Sequence, residues 1–199
     1  MHISEGILSG GMLAVGWAGT VAGVSFGLKR TNPDKIIQTA LISSAFFLAS
    51  LVNVRIGPSS THLTLLAPMG IILGHAVFPA VFTALLLQAL LFGFGGILVL
   101  GVNTFVMGTA SLAAYLIFGR AIRESTGHFR VIALSFMAGA LAVIIGACMA
   151  GMFLMMTDAN FAGAVKVLMI AHIPVAVIEG AVTSFLVMWL KKSAPEFLS

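Results

Sequence analysis

The chain begins Met1-His2, and this pair carries its most distinctive chemistry. The α-amine of Met1, the deprotonated backbone nitrogen of His2 and His2 Nδ1 can close a five-membered and a six-membered chelate ring on one metal ion. The three nitrogens are nearly coplanar. A fourth in-plane donor completes a square of nitrogens, a geometry that suits Ni(II) or Cu(II) and disfavours tetrahedral Zn(II). His62 is the leading candidate for that donor, because it is the only other histidine predicted in an extracytoplasmic loop or helix start. It ends the polar stretch Gly57-Pro58-Ser59-Ser60-Thr61-His62. There Gly and Pro break one helix, while Ser60 and Thr61 are expected to cap the next and to hold the imidazole by hydrogen bonds. Each piece alone has an ordinary reading: a histidine at position 2 is usually a solvated terminal residue, and the stretch 57–62 is a simple interhelical turn.

These residues must be positioned by apolar elements. Of the 199 residues, 60% are hydrophobic and 8% charged, against about 25% charged in soluble domains. The composition predicts a membrane protein and excludes a disordered chain. Ten bases and six acids lie scattered between apolar runs, so no basic patch for nucleic acid exists. The single cysteine, Cys148, excludes a disulfide framework and a thiolate metal cluster and is expected to be a small buried hydrophobe. The opening Met1 to Gly6 contains an acid and no base, and the apolar stretch 7–28 is long enough to span a bilayer, so it is read as mature protein rather than a cleaved signal peptide.

The expected fold is all-α: one integral-membrane domain over residues 1–199, a polytopic helical bundle of about seven spans with an extracytoplasmic amino terminus. Residues 1–6 form a metal-binding loop, and the spans fall near 7–28, 36–54, 62–76, 78–98, 103–119, 131–156 and 167–190. The region 62–119 is divided at Gly74-His75, Pro79, the cluster Gly93 to Gly96 and Gly101, and its first piece is short and tilted or re-entrant. This arrangement puts Lys29, Arg30, Lys35, Arg120, Arg123, Arg130, Lys191 and Lys192 on the cytoplasmic side, against only Arg55 and Lys166 outside. That is the bias expected of a cell-membrane protein. His75 and His128 then fall on the cytoplasmic side, away from His2.

Other polar residues have two readings each. Asn103 is either a helix cap or a hydrogen-bond partner of an imidazole or of the amino-terminal loop. Glu5 either pins that loop or is solvated. His172 and Glu179, two turns apart on one helix face, are structural packing or part of a transport cycle. The rows Ala14, Ala18, Ala22 and Gly19, Gly23, Gly27 serve close packing, inside the bundle or against a partner. Two further motifs are rejected. Gly23-Val24-Ser25-Phe26-Gly27 lies in an apolar helix rather than a strand-to-helix elbow, and no P-loop occurs, so the chain does not bind ATP through one.

The segments Met-His-Ile-Ser-Glu-Gly at 1–6, Ser-Ser-Thr-His-Leu at 59–63, the glycine-rich 85–105 ending in Gly-Val-Asn-Thr-Phe, and Ala-His-Ile-Pro-Val-Ala-Val-Ile-Glu-Gly at 171–180 together resemble the CbiM/NikM family. Members of that family are substrate-specific components of energy-coupling factor transporters for cobalt and nickel. The resemblance runs over nearly the whole chain. It implies a seven-helix subunit, not an enzyme, that binds Ni2+ or Co2+ as transported substrate through Met1 N, His2 N, His2 Nδ1 and a side-chain nitrogen of His62. It implies no organic cofactor. Its partners would be a transmembrane coupling subunit, ATP-binding cassette ATPase subunits, a small accessory membrane subunit in some systems, and membrane lipid. The commonest cobalt-type pattern has Gly-Gly-Thr-x-x-His where this chain has Gly-Pro-Ser-Ser-Thr-His, and the Ser-Ser-Thr-His-Leu version resembles the nickel-type members. The competing reading is a bis-histidine haem-binding membrane protein that pairs His62 with His172; a hydrolase using Ser25 ranks below it.

Overall fold

A computed structural model describes residues 2–51, 53–56 and 59–198, with 53–56 and 59–62 described by their backbone only. The chain enters as a two-residue strand, β1 (His2–Ile3), and turns at Gly6, whose φ of 81° needs no side chain. It then forms α1 (Gly10–Arg30), which ends at the basic pair Lys29 and Arg30. Asn32 restarts it, its side chain accepting the Asp34 N–H ahead of Pro33–Lys35, and α2 (Ile36–Ala49) follows. Two strands, β2 (Asn53–Ile56) and β3 (Ser59–His62), form a hairpin. After it come α3 (Leu66–Leu73), α4 (Val77–Phe92) and α5 (Leu100–Ala114), the last continuing through a π-helical stretch, Tyr115–Gly119, into α6 (Arg120–Glu124). The long helices α7 (His128–Thr157) and α8 (Ala162–Ser193) close the bundle.

Five helical runs are long and apolar enough to cross a membrane: Gly10–Arg30, Leu66–Phe92, Leu100–Glu124, His128–Thr157 and Ala159–Ser193. The fold is thus an all-α, multi-pass membrane bundle with a small three-stranded ribbon at one end. The run Leu66–Phe92 is not a straight rod. Gly74, at φ 55° and ψ −123°, ends α3. A Cβ there would sit 3.2 Å from the Tyr115 ring, whereas Phe78 on α4 packs back against Gly108. Moving along α3 descends α5, moving along α4 climbs it again, and the chain therefore reverses at Gly74–Ala76. Segment 62–76 holds an eight-residue helix rather than a full-length one, and α2 stops at Ala49 because the chain beyond it becomes ribbon.

Helix α5 occupies the centre, with Asn103, Thr104, Met107, Ala110, Ser111 and Ala114 all buried. Glycines let α1 approach it closely. A Cβ on Gly16 would strike Val102, and one on Gly19 the Phe105 ring. The row Gly19, Gly23, Gly27 therefore serves packing inside the bundle, and Ala14, Ala18 and Ala22 lie on the exposed face of the same helix. Cys148 is exposed on α7, not buried as its apolar neighbourhood suggested. In a membrane bundle apolar residues line the lipid-facing surface as well as the core, so hydrophobicity alone does not separate the two.

Candidate metal-capture site

The amino-terminal strand is built into the bundle by side chains of α5 and of the loop before it. Ile3 is fully buried and packs with Val99, Val102, Val106, Phe153, Leu154 and Leu168. Burial of a side chain of this size is worth about 1.5–3 kcal/mol. Its backbone is clamped by one amide: Ile3 N–H donates to Asn103 Oδ1 at 2.9 Å, and Asn103 Nδ2 donates to Ile3 O at 3.0 Å. Asn103, only 2% exposed, thereby satisfies the strand edge as another strand would. Two residues on, Glu5 N–H donates to Gly95 O and the Glu5 carboxylate accepts the Leu98 N–H, each at 2.8 Å. This approach depends on glycine. Gly96 has φ 114°, and a Cβ there would lie 2.5 Å from Glu5 Oε2.

The opposite edge of β1 pairs with the hairpin. Strand order is β1-β3-β2, all antiparallel, with His2 opposite Ser60 and Ile3 opposite Ser59. His62 stands opposite Asn53, two residues along β3 from the partner of His2. Residues almost sixty positions apart in sequence are thus hydrogen-bonded neighbours. His2 itself is 3% exposed, with its ring edge beside Gly95.

Glu179 ties the far end of this ribbon to α8. Its carboxylate, 1% exposed, accepts the backbone N–H of Thr64 and of Leu65, the latter at 3.1 and 3.2 Å. Leu65 lies at φ 47°, the only non-glycine residue with positive φ among those described. That conformation costs about 1–2 kcal/mol for an L-residue. Ser60 and Thr61 were expected to cap the next helix, but they lie in β3, and the orphan donors ahead of α3 go to Glu179 instead. About two turns before it on the same helix, His172 is buried, its Nδ1–H donating to Leu168 O at 2.8 Å.

The structure therefore brings His2, Asn103, Glu5 and the backbone of Ser60, Thr61 and His62 to one end of the bundle. Met1 and the side chains of Ser60, Thr61 and His62 lie outside the described residues. His75 packs instead against Phe26, Tyr115 and Arg30 at the opposite end. Among the described residues no group of three or more His, Cys, Asp or Glu side chains converges on a metal position. Three residues of this region carried no distinct sequence signal. Glu179 showed only that a carboxylate in an apolar helix needs a partner, and Gly95 and Gly96 read as a turn rather than as the surface on which the amino terminus rests.

A bundle of apolar helices that holds residues 2–5 beside a histidine-bearing hairpin defines a class, the polytopic membrane proteins, and known proteins narrow it to metal transport. Residues 2–197 match the family profile named CbiM, cobalt uptake substrate-specific transmembrane region. A relative from Haemophilus influenzae named for metal transport is 36% identical over all of this chain and 97% of its own length. The fused nickel transport protein NikMN of Rhodobacter capsulatus is 32% identical over all of this chain, which spans 64% of that longer protein. A crystal structure of a truncated transition metal transporter superposes with a TM-score of 0.79 at 27% identity, covering 96% of this chain and 99% of that one. The chain belongs to the CbiM family and is a multi-pass membrane component of a transition-metal transporter.

Proposed function

We propose that this protein captures Ni2+, and Co2+ less selectively, in a planar nitrogen site made by Met1 N, His2 N, His2 Nδ1 and an imidazole nitrogen of His62. The observation that carries the reading is the pairing of His2 with Ser60, two residues from His62 along β3. Strand residues two apart return to the same face, so the register is the one a shared site requires. The Asn103 amide and the Glu5 carboxylate hold the short strand through contacts that involve no ion, which reduces the ordering cost of binding. Relatives named for cobalt and for nickel support both ions, and the Ser-Ser-Thr-His-Leu segment favours nickel. Intrinsic affinity of such a site is greatest for Cu(II), so selectivity for nickel rests on metal availability.

In this reading the protein is the substrate-binding subunit of an energy-coupling factor importer. A transmembrane coupling subunit docks on the exposed row Ala14, Ala18 and Ala22 of α1, and separate ATP-binding cassette subunits supply energy. Donor nitrogens must be deprotonated, so acidification weakens capture.

The test is calorimetric titration of Ni2+ and Co2+ into protein whose first residue is an unblocked Met1, beside protein carrying one extra residue before it. The extension removes the amine donor and leaves the bundle intact. Equal affinity in the two proteins would refute the chelate.

A further inference from the structure

At the end of the bundle opposite the ribbon, a cavity of about 270 Å³ is lined by Arg30, Lys35, His75, Tyr115 and Arg123, with Thr31, Thr39 and other polar residues at its rim. Its guanidinium groups are held by rings rather than acids. Arg30 lies 4.6 Å from the Phe26 ring and donates to His75 Nε2 at 3.4 Å. Arg123 lies 5.4 Å from the Tyr115 ring and donates one bond, to Ile71 O at 3.0 Å. Among the described residues neither guanidinium forms an ion pair, and the nearby acid Glu124 is held by Arg120 at 2.7 Å. Arg123 Nε and His75 Nδ1 are buried with no hydrogen-bond partner among the described residues. Buried donors of this kind call for an acceptor, a water or an anion.

A second cavity, about 380 Å³, adjoins the first at Thr31 and Thr39, which line both. It is apolar, bounded by Leu28, Ile36, Ala40, Phe47 and Leu87 between α2 and α4. Along α2, from Ile36 to Phe47, a helix rises about 16 Å, close to half of the roughly 30 Å hydrocarbon core. The groove thus runs from a cationic head pocket through one leaflet.

We infer that the two cavities together bind one anionic phospholipid of the cytoplasmic leaflet, its phosphate between Arg30, His75 and Arg123 and one acyl chain between α2 and α4. Guanidinium groups match phosphate oxygens bidentately, and the cytoplasmic leaflet is where basic side chains meet anionic lipid. Across α2 and α4, Ser43 Oγ donates to Ala80 O at 2.9 Å. An acyl chain in the groove fills the rest of that contact. This inference is independent of the metal site at the other end.

The experiment is native mass spectrometry of the detergent-purified full chain titrated with phosphatidylglycerol or with phosphatidylcholine of the same chains. One phosphatidylglycerol per chain is expected to be retained, and phosphatidylcholine to be bound at least about ten-fold more weakly. The double variant Arg30→Gln, Arg123→Gln should lose phosphatidylglycerol by about 30-fold. Ala40→Trp, which fills the groove from an exposed position, should weaken retention while the head pocket stays intact, and it serves if the double variant does not fold. Glycerol 1-phosphate, the head without the tail, should not displace the lipid at equal concentration. Equal retention of the two lipids, unchanged binding by either variant, or displacement by glycerol 1-phosphate overturns the proposal, the last in favour of a free phosphate or a partner's acidic side chain.

Discussion

The two ends of the bundle use their polar groups differently. At the ribbon end the backbone groups around the short strand and the hairpin exit are matched: Asn103 takes both backbone groups of Ile3, Glu5 takes Leu98 N–H, and Glu179 takes Thr64 and Leu65. At the opposite end Arg30 and Arg123 lean on aromatic rings, and Arg123 Nε has no acceptor among the described residues. A region whose backbone groups satisfy one another fixes geometry. Guanidinium groups held against rings retain donors for an anion.

The comparison can be broken most directly at the hairpin. His62→Ala should lower Ni2+ affinity by more than about 100-fold, beyond the 10–100-fold typical of groups that only support a ligand. Calorimetry checks this, and an unchanged affinity would show that another residue is the fourth donor. Asn103→Ala comes next. It leaves the N–H and C=O of Ile3 without partners, each costing about 1–3 kcal/mol when buried, so the strand should loosen and affinity fall by about 10–100-fold. Hydrogen exchange at residues 2–5 should rise in the same variant, and if it does not, the clamp is not what holds the strand.

Glu179→Gln is expected to be milder. The amide keeps one oxygen acceptor but loses the charge that strengthens bonds to Thr64 and Leu65 N–H. Affinity should drop about ten-fold through displacement of residues 62–65, with the loss concentrated in slower capture rather than in the spectrum of bound metal. A changed absorption spectrum would mean that Glu179 touches the metal site itself. Smallest of all, His75→Ala should leave metal affinity unaltered, since His75 lies against Phe26 and Arg30 at the end opposite the ribbon. A large loss there would collapse the distinction between the two ends.

Much of this was legible in the residues. Apolar runs broken by glycine and charge located the long helices. Met1-His2 and His62 stood out because their donor atoms have defined ring geometry. The hairpin was not legible: 53–62 lies between apolar stretches, and strand pairing of six to eight residues leaves no mark on a hydropathy pattern. Nor was the role of Glu179, because a carboxylate within a helix does not announce which distant backbone it will bond.

Composition decided that this chain lives in a membrane, since so few charges cannot cover a water-exposed surface. Local sequence decided where helices must start and stop, because glycine, proline and charge act within a turn of their own position. Only the tertiary structure decided that His2 lies beside Ser60, that one amide of α5 clamps Ile3, and that Arg30 and Arg123 share a cavity. Those are contacts across long separations, fixed by how helices pack and by which buried polar group each backbone N–H must find.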